Sequence, residues 1–535
     1  MKTLVIFNRI FIAVIFLINI LFAACGNGKG INAAKSKDVA YEMQPMKDKA
    51  EEDGKVNPLV SDDEVKQDFN TESYDKIKEN EFVSVISNPL STFSVDVDRA
   101  SYSNIRRFLE NNQLPPQDAV RIEEMINYFE YYYPLPKDDS PFSVNLELAK
   151  CPWNENHQLI AIGLKGKEIE VKNLPASNLV FLVDVSGSMD EPNKLPLLKQ
   201  SFKILIEKLR PADKVAMVVY AGAAGIVLPS TSCDEKNDIL EAFDKLQAGG
   251  STAGGEGINL AYKIAKENFI KGGNNRVILA TDGDFNIGES SDAAMERLIE
   301  KKREEGVFLT VLGFGMGNYK DSKMEKLSNA GNGNYAYIDN ILEAQKTLGK
   351  EFFGTIYTIA KDVKLQVEFN PSKVKAYRLI GYENRMLNKE DFNDDKKDAG
   401  DIGAGHTVTA LYEIIPAGSK EEIPGIDPLE YQKSNIVKSD DIMTLKLRYK
   451  EPDASESKLI KQKITEKDFK QNISENFKWA AAVSEFGLLL RDSKFKGNAS
   501  FEQVSELAKT SKGDDPDGYR AEFIKLVQVA QLLKK

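Results

Sequence analysis

Asp184, Ser186 and Ser188 place one carboxylate and two hydroxyls within five residues of chain. Oxygen is the only donor type among them, and such a set suits a hard cation such as Mg²⁺. The same residues also have a plainer use, since an Asp can cap a helix and Ser residues form turns. The residues before them are a continuous apolar run, Leu179–Val183. That pattern belongs to a strand buried on both faces inside a parallel sheet. The donors therefore follow the carboxyl end of a central strand, where open α/β sheets hold their ligands.

The stretch Asp184-Val185-Ser186-Gly187-Ser188 resembles the metal-ion-dependent adhesion site of von Willebrand factor type A domains. The resemblance requires a Thr and an Asp further along, each in its own loop. Thr252 lies in the glycine-rich segment 249–255, and Asp282 directly follows the apolar run Arg276–Ala280 and Thr281. The resemblance spans about residues 176–350 and implies a site made of Asp184, Ser186, Ser188, Thr252 and Asp282. In it the three hydroxyls contact the metal and the two carboxylates often act through water. With few charged ligands the cation keeps much of its charge, and Mg²⁺ tends to retain waters that can be exchanged. The resemblance implies that a Glu or Asp of a partner protein takes such a position. Mn²⁺ and Ca²⁺ are alternatives, three small hydroxyls favouring the smaller ions.

Two other uses of the cation stand beside this one. A metal-assisted hydrolase could polarise a carbonyl or phosphoryl oxygen with it. Near the motif, however, only Asp190, Glu191, Asp284 and Glu289 could act as bases, and no His is at hand. The reading is therefore a binding protein and not an enzyme. Alternatively the metal braces the three loops while the flanking regions form an assembly scaffold.

The elements that must position these residues alternate along residues 176–350. Strands are expected at Leu179–Val183, Lys214–Tyr220, Gly225–Leu228, Arg276–Ala280, Val307–Phe314 and Asn334–Ile338. Helices are expected near Lys194–Leu209, Asn237–Leu246, Glu256–Asn268, Ala293–Glu305 and Lys323–Asn329. The fold class that follows is α/β, a doubly wound and mostly parallel sheet. The second and third strands are too close for a crossover helix, so Ala221–Ala224 should turn a hairpin. Gly249–Gly257 lacks the Gly-Lys-Ser/Thr ending of a phosphate loop, and its glycines are read as freedom for the Thr252 loop.

Residues 81–175 read as a small α+β region: a strand at Thr92–Asp98, a helix from Ser101, a second helix Val120–Tyr131, and strands at Phe142–Ala149 and Leu159–Leu164. Tyr128, Tyr131, Tyr132 and Tyr133 could form a sugar or peptide platform or pack against a neighbour. Asp96 and Asp98 could be ligands, but turn or cap roles are the plainer reading. Residues 351–470 are β-rich, with strands at Val363–Phe369, Lys373–Leu379, His406–Ile415 and Asp441–Tyr449. Residues 471–535 are helical at Asn476–Arg491, Phe501–Thr510 and Tyr519–Leu533, the first with an amphipathic stripe of Ala480, Val483, Phe486, Gly487 and Leu490. These flanks, with Asn88–Asp98, resemble those of bacterial type A domain lipoproteins.

At the amino terminus Lys2 and Arg9 accompany an apolar stretch, Ile10–Ala24, which ends at Leu21-Phe22-Ala23-Ala24-Cys25. This is the pattern of a secretory signal. It resembles a bacterial lipoprotein signal, residues 1–25, in which Cys25 is lipidated and anchors the chain to a cell-envelope membrane. Phe22 stands where such signals usually carry Leu. Residues 26–80 are polar and charged and read as a flexible linker. The net charge of −11 argues against nucleic acid as a partner. Only His157 and His406 are present, which disfavours Ser-His, Cys-His and His-zinc chemistry. Cys151 and Cys233 could pair in an oxidising periplasm, but nothing in their spacing requires it, and they read as free thiols.

Overall fold

A computed structural model describes residues 71–95, 98–250, 254–283, 285, 291–423 and 436–535. The signal, Cys25, Asp96, Thr252, Asp284 and Glu289 lie outside the described residues. Residues 71–80, expected in the linker, are instead tied to the fold. Glu72 accepts hydrogen bonds from Arg107 (2.7 and 2.8 Å) and from the Gly317 amide (2.8 Å).

The first strands are β1 (Val83–Ser84) and β2 (Leu90–Ser94), followed by helices Ala100–Glu110 and Ile122–Asn127 and the hairpin β3 (Phe142–Cys151) and β4 (Asn154–Gly166). The second helix is shorter than expected because the tyrosine-rich turn after it packs inward. Tyr128 and Tyr131 are fully buried, and only Tyr132 is largely exposed. The cluster is packing, with Tyr128 stacked on Tyr102 and edge-on to Phe129, not an open platform.

The central sheet holds β5 (Ser177–Asp184), β6 (Lys214–Ala221), β7 (Ala223–Ser232), β8 (Asn274–Thr281), β9 (Phe308–Gly313) and β10 (Tyr335–Tyr337). Their order is β10-β9-β8-β5-β6-β7, parallel except for the β6–β7 hairpin. The hairpin turns on Gly222 at φ 72°, which a side chain would strain. Alternation along β5 explains the two flanking helix layers. Leu179, Phe181 and Val183 pack into one apolar cluster with helix Leu195–Lys208, whereas Val180 and Leu182 pack into another with helix Gly254–Glu267. The sheet is doubly wound, as α/β patterning requires.

The later strands are β11 (Thr358–Phe369), β12 (Val374–Ile380), β13 (Ile402–Gly403), β14 (Thr407–Pro416), β15 (Asp441–Lys450) and β16 (Lys458–Thr465). They do not form a unit of their own. One sheet runs β1-β12-β14-β4-β3, and the other runs β13-β11-β15-β16 with β2 against β11. Strands from both sides of the central sheet in sequence thus interleave, and the two sheets face each other across a shared core. The other face of the β4–β14 sheet carries helices Glu475–Leu490, Phe501–Thr510 and Tyr519–Leu533 together with Ile122–Asn127. Helix Glu475–Leu490 is not amphipathic in place: nearly all its side chains are buried, polar Ser484 and Glu485 included. Both Cys151 and Cys233 are buried free thiols. Among the described residues no helix is long and apolar enough to cross a membrane.

Candidate functional site

Parallel register brings the site together. β5 lies between β6 and β8, pairing Asp184 with Tyr220 and Val183 with Ala280. The carboxyl ends of three neighbouring strands therefore open on one loop cluster. Asp184 is fully buried and its carboxylate is held on both oxygens. Oδ1 accepts from the Ser186 amide (2.9 Å), and Oδ2 accepts from the Tyr220 hydroxyl (3.0 Å) and the Thr281 hydroxyl (3.3 Å). Burial, with the Asp282 charge nearby, pushes the Asp184 carboxyl up to about 6. The Ser186 and Ser188 hydroxyls lie 3.0 Å apart. Ser186 is buried and Ser188 exposed, so the pair sits at the mouth.

Asp282 is fully buried just past the end of β8. Its Oδ2 accepts from the Lys194 ammonium at 3.3 Å, and the same ammonium donates to the Ser188 carbonyl at 3.0 Å. Lys194 precedes helix Leu195–Lys208 and is itself buried. Gly315 admits it: a Cβ there would stand 2.4 Å from Lys194 Cε. The third loop is drawn in by its backbone, Gly249 N–H donating to the Val185 carbonyl (2.8 Å) and Gly187 N–H to the Gly250 carbonyl (3.1 Å). That seats the residues just before Thr252 against the Asp184–Ser188 turn.

Four of the five expected ligands are thus described and gathered at one end of the sheet. Their chemistry fits a small divalent cation. Adjacent ligands of an octahedral Mg²⁺ stand about 2.9 Å apart, given metal–oxygen distances of about 2.05 Å. The Ser186–Ser188 separation of 3.0 Å matches that edge, and also makes a hydrogen bond. Among the described residues no three His, Cys, Asp or Glu side chains converge as a metal cluster; a cation held at this end by the described residues would need hydroxyls among its donors. Asp190 is exposed and Glu191 points its carboxylate to 3.6 Å from Lys194. His157 and His406 serve elsewhere, His157 between Glu413 and Glu421 and His406 beside Thr355. Sequence reasoning missed Lys194, Tyr220 and Thr281. Thr281 adjoins Asp282 and Tyr220 ends a strand paired with β5, but Lys194 carries no local signal.

The chain matches the family described as von Willebrand factor type A domain over residues 178–350. It matches von Willebrand factor over 68–161 and the carboxyl-terminal domain of uncharacterized protein YfbK over 354–533. It is 45% identical over 471 residues to the uncharacterized protein YfbK of Escherichia coli (strain K12), covering 86% of this chain and 81% of the relative. It is 28% identical to the uncharacterized protein sll0103 of Synechocystis over 38% of this chain and 47% of the relative. Among solved structures, a von Willebrand factor type A protein from Catenulispora acidiphila is similar at 19% identity, over 72% of this chain and 89% of its own, with a TM-score of 0.40.

Proposed function

This chain belongs to the YfbK family of von Willebrand factor type A proteins, and on that premise we propose that it is a lipid-anchored binding protein of the cell envelope. In this reading Asp184, Ser186, Ser188, Thr252 and Asp282 hold a divalent cation, Mg²⁺ in the first place, which captures an Asp or Glu of a partner protein. The lipid on Cys25 fixes the chain to the membrane. The observation that carries the reading is the Ser186–Ser188 hydroxyl pair, set at 3.0 Å at the mouth with both carboxylates buried.

The residues divide the work by charge. Neutral hydroxyls at the mouth contact a cation without neutralising it. Asp184 and Asp282 lie behind, and Lys194 offsets one of them. When bound, the metal would supply directed positive charge for a carboxylate. The chain's own part is to keep that charge uncompensated and to orient the hydroxyls. The Tyr220 and Thr281 hydroxyls hold Asp184 in one rotamer, which is the office of groups behind a metal's ligands.

The test is capture of membrane proteins by the full-length chain in detergent, with Mg²⁺, with chelator, and as Thr252→Ala. A partner retained only by wild type with Mg²⁺ supports the site. Equal capture in all three samples moves the binding surface to the flanking regions and leaves the cation a brace. Separately, Cys25→Ser should release the chain from the membrane fraction.

A further inference from the structure

At the opposite end of the central sheet lies a cleft of about 390 Å³, bounded by Arg276 near the start of β8, residues 329–334, residues 384–387 and the segment 397–406. Its volume is that of a small-molecule site, which typically runs from about 300 to 1,000 Å³. Its walls are amides, hydroxyls and charges, including Asn332, Asn334, Thr355 and Thr358. Arg276, near the start of β8, and Asp282, just past its end, are six residues apart, about 20 Å along the strand. The cleft is therefore separate from the metal end.

Arg276 is the anomaly in this wall. It is 2% exposed, and among the described residues no carboxylate comes within ion-pair distance of it. Nη1 donates to the Thr310 hydroxyl at 2.7 Å, the guanidinium lies over the Phe308 ring, and Nε has no partner. Burial depresses the guanidinium to about 10, with the Asp401 carboxylate the main charge acting against it. Asp401 is itself buried, its carboxyl pushed up to about 7, and it accepts from the Asp362 amide. Of the other charges on the wall, Asp98 pairs with Arg385 at 3.0 Å and Asp398 with Arg303 at 3.0 Å, and Lys397 is exposed to solvent, so Arg276 is the buried cation without a carboxylate at ion-pair distance. Buried His406 adds a second unpartnered nitrogen, Nδ1, and burial keeps its imidazole neutral.

Burying a charge without a partner is costly, and replacing it by an apolar side chain of like size would stabilise a fold that had no use for it. A guanidinium presents a planar fork that matches a carboxylate or phosphate. We propose that this cleft binds a small hydrophilic organic anion whose oxyanion pairs with Arg276 while the amides and hydroxyls of the wall bind its remainder. The site stands whether or not the opposite end holds a metal.

The experiment is thermal unfolding and calorimetric binding of the full chain with glucuronate, glucose 6-phosphate and neutral glucose at constant ionic strength. Two variants accompany wild type. Arg276→Met removes the charge, and Ala399→Leu fills the cleft without touching a hydrogen-bonding side chain. Saturable binding of glucuronate or glucose 6-phosphate, absent for glucose and weakened about tenfold or more in both variants, is the expected result. Glucuronate alone assigns a carboxylate, and glucose 6-phosphate alone a phosphate. Arg276→Met should also match or exceed wild type in Tm without ligand. No binding of either anion, or binding that survives in both variants, overturns the proposal, as does a ligand-free Arg276→Met that unfolds well below wild type.

Discussion

The Lys194 ammonium stands 3.3 Å from the Asp282 carboxylate with both side chains buried. This pair joins the loop after β5 to the loop after β8 and sets the charge of the cluster. Replacing Lys194 by Met would leave a buried carboxylate without its ammonium neighbour. Breaking such a pair from one side costs about 3–5 kcal/mol. Mg²⁺ would then stand in for the lost charge. The expected outcome is a ligand-free Lys194→Met of lower Tm and a larger Mg²⁺-induced rise than in wild type. Thermal unfolding with Mg²⁺ and with chelator measures both, and equal rises in the two proteins would remove Lys194 from the charge balance of the site.

Asp184 and Ser188 should separate folding from binding. Asp184→Ala strands the buried Tyr220 hydroxyl, the Thr281 hydroxyl and the Ser186 amide. Buried groups left unsatisfied cost about 1–3 kcal/mol each, so chemical denaturation should show a loss of about 3 kcal/mol or more. Ser188 is exposed, and Ser188→Ala should change stability by less than about 0.5 kcal/mol. In the metal reading it nevertheless weakens Mn²⁺ binding, measured by paramagnetic resonance. A Ser188→Ala variant that binds Mn²⁺ as wild type does would exclude that hydroxyl as a ligand.

Glu485 gives the fold a pH dependence of definite sign. It is fully buried in helix Glu475–Leu490, and one oxygen accepts from the Ser500 amide at 3.0 Å. Burial raises its carboxyl from 4.5 to about 7. The unfolded chain therefore loses this proton first as pH rises. Stability falls between the two values and levels off above about 7, by about 3 kcal/mol from this group. Glu485→Gln keeps the acceptor and removes the ionisation. Its stability relative to wild type should rise across that window, as urea unfolding at pH 5 and pH 8 would register. A constant difference at both pH values would show that Glu485 is not the source.

What could be read from sequence followed how local the cause was. Leu179–Val183 announces a central strand because every side chain is apolar, and the three site loops follow strands that are equally plain. Lys194 was invisible because its partner is 88 residues away and its path depends on glycine at 315. β16 was missed because Lys458, Lys461 and Lys463 make it look like a linker. The structure uses it as a charged, solvated edge strand. Helix Glu475–Leu490 read as amphipathic because its cover is tertiary: Ile122–Asn127, from more than 300 residues earlier, and the two helices that follow it pack on its remaining faces. The interleaved sheets have the same origin, since pairing of β4 with β14 spans about 250 residues and leaves no local trace.

Arg106 shows why the flanks and the central sheet should unfold together. It is 1% exposed and sits in the helix Ala100–Glu110. Its Nε donates to Asp339 at 2.8 Å, Nη2 to Glu343 at 2.8 Å, and Nη1 to Glu522 at 3.1 Å and the Tyr128 hydroxyl at 3.0 Å. One guanidinium thus ties an amino-terminal helix to the end of the central region and to the last helix. Arg106→Met leaves three carboxylates facing one another, and a loss of about 3–5 kcal/mol follows. Because the three segments share the ion, the loss should appear in a single transition. The chain's two Trp residues, Trp153 and Trp479, lie in the core beneath the flanking helices. Their fluorescence reports that core, and far-ultraviolet dichroism reports all the helices. Coincident urea curves in wild type and variant are expected. Fluorescence that moved ahead of the dichroism, with part of the dichroism lost only in a later step, would mean that the flanks unfold on their own.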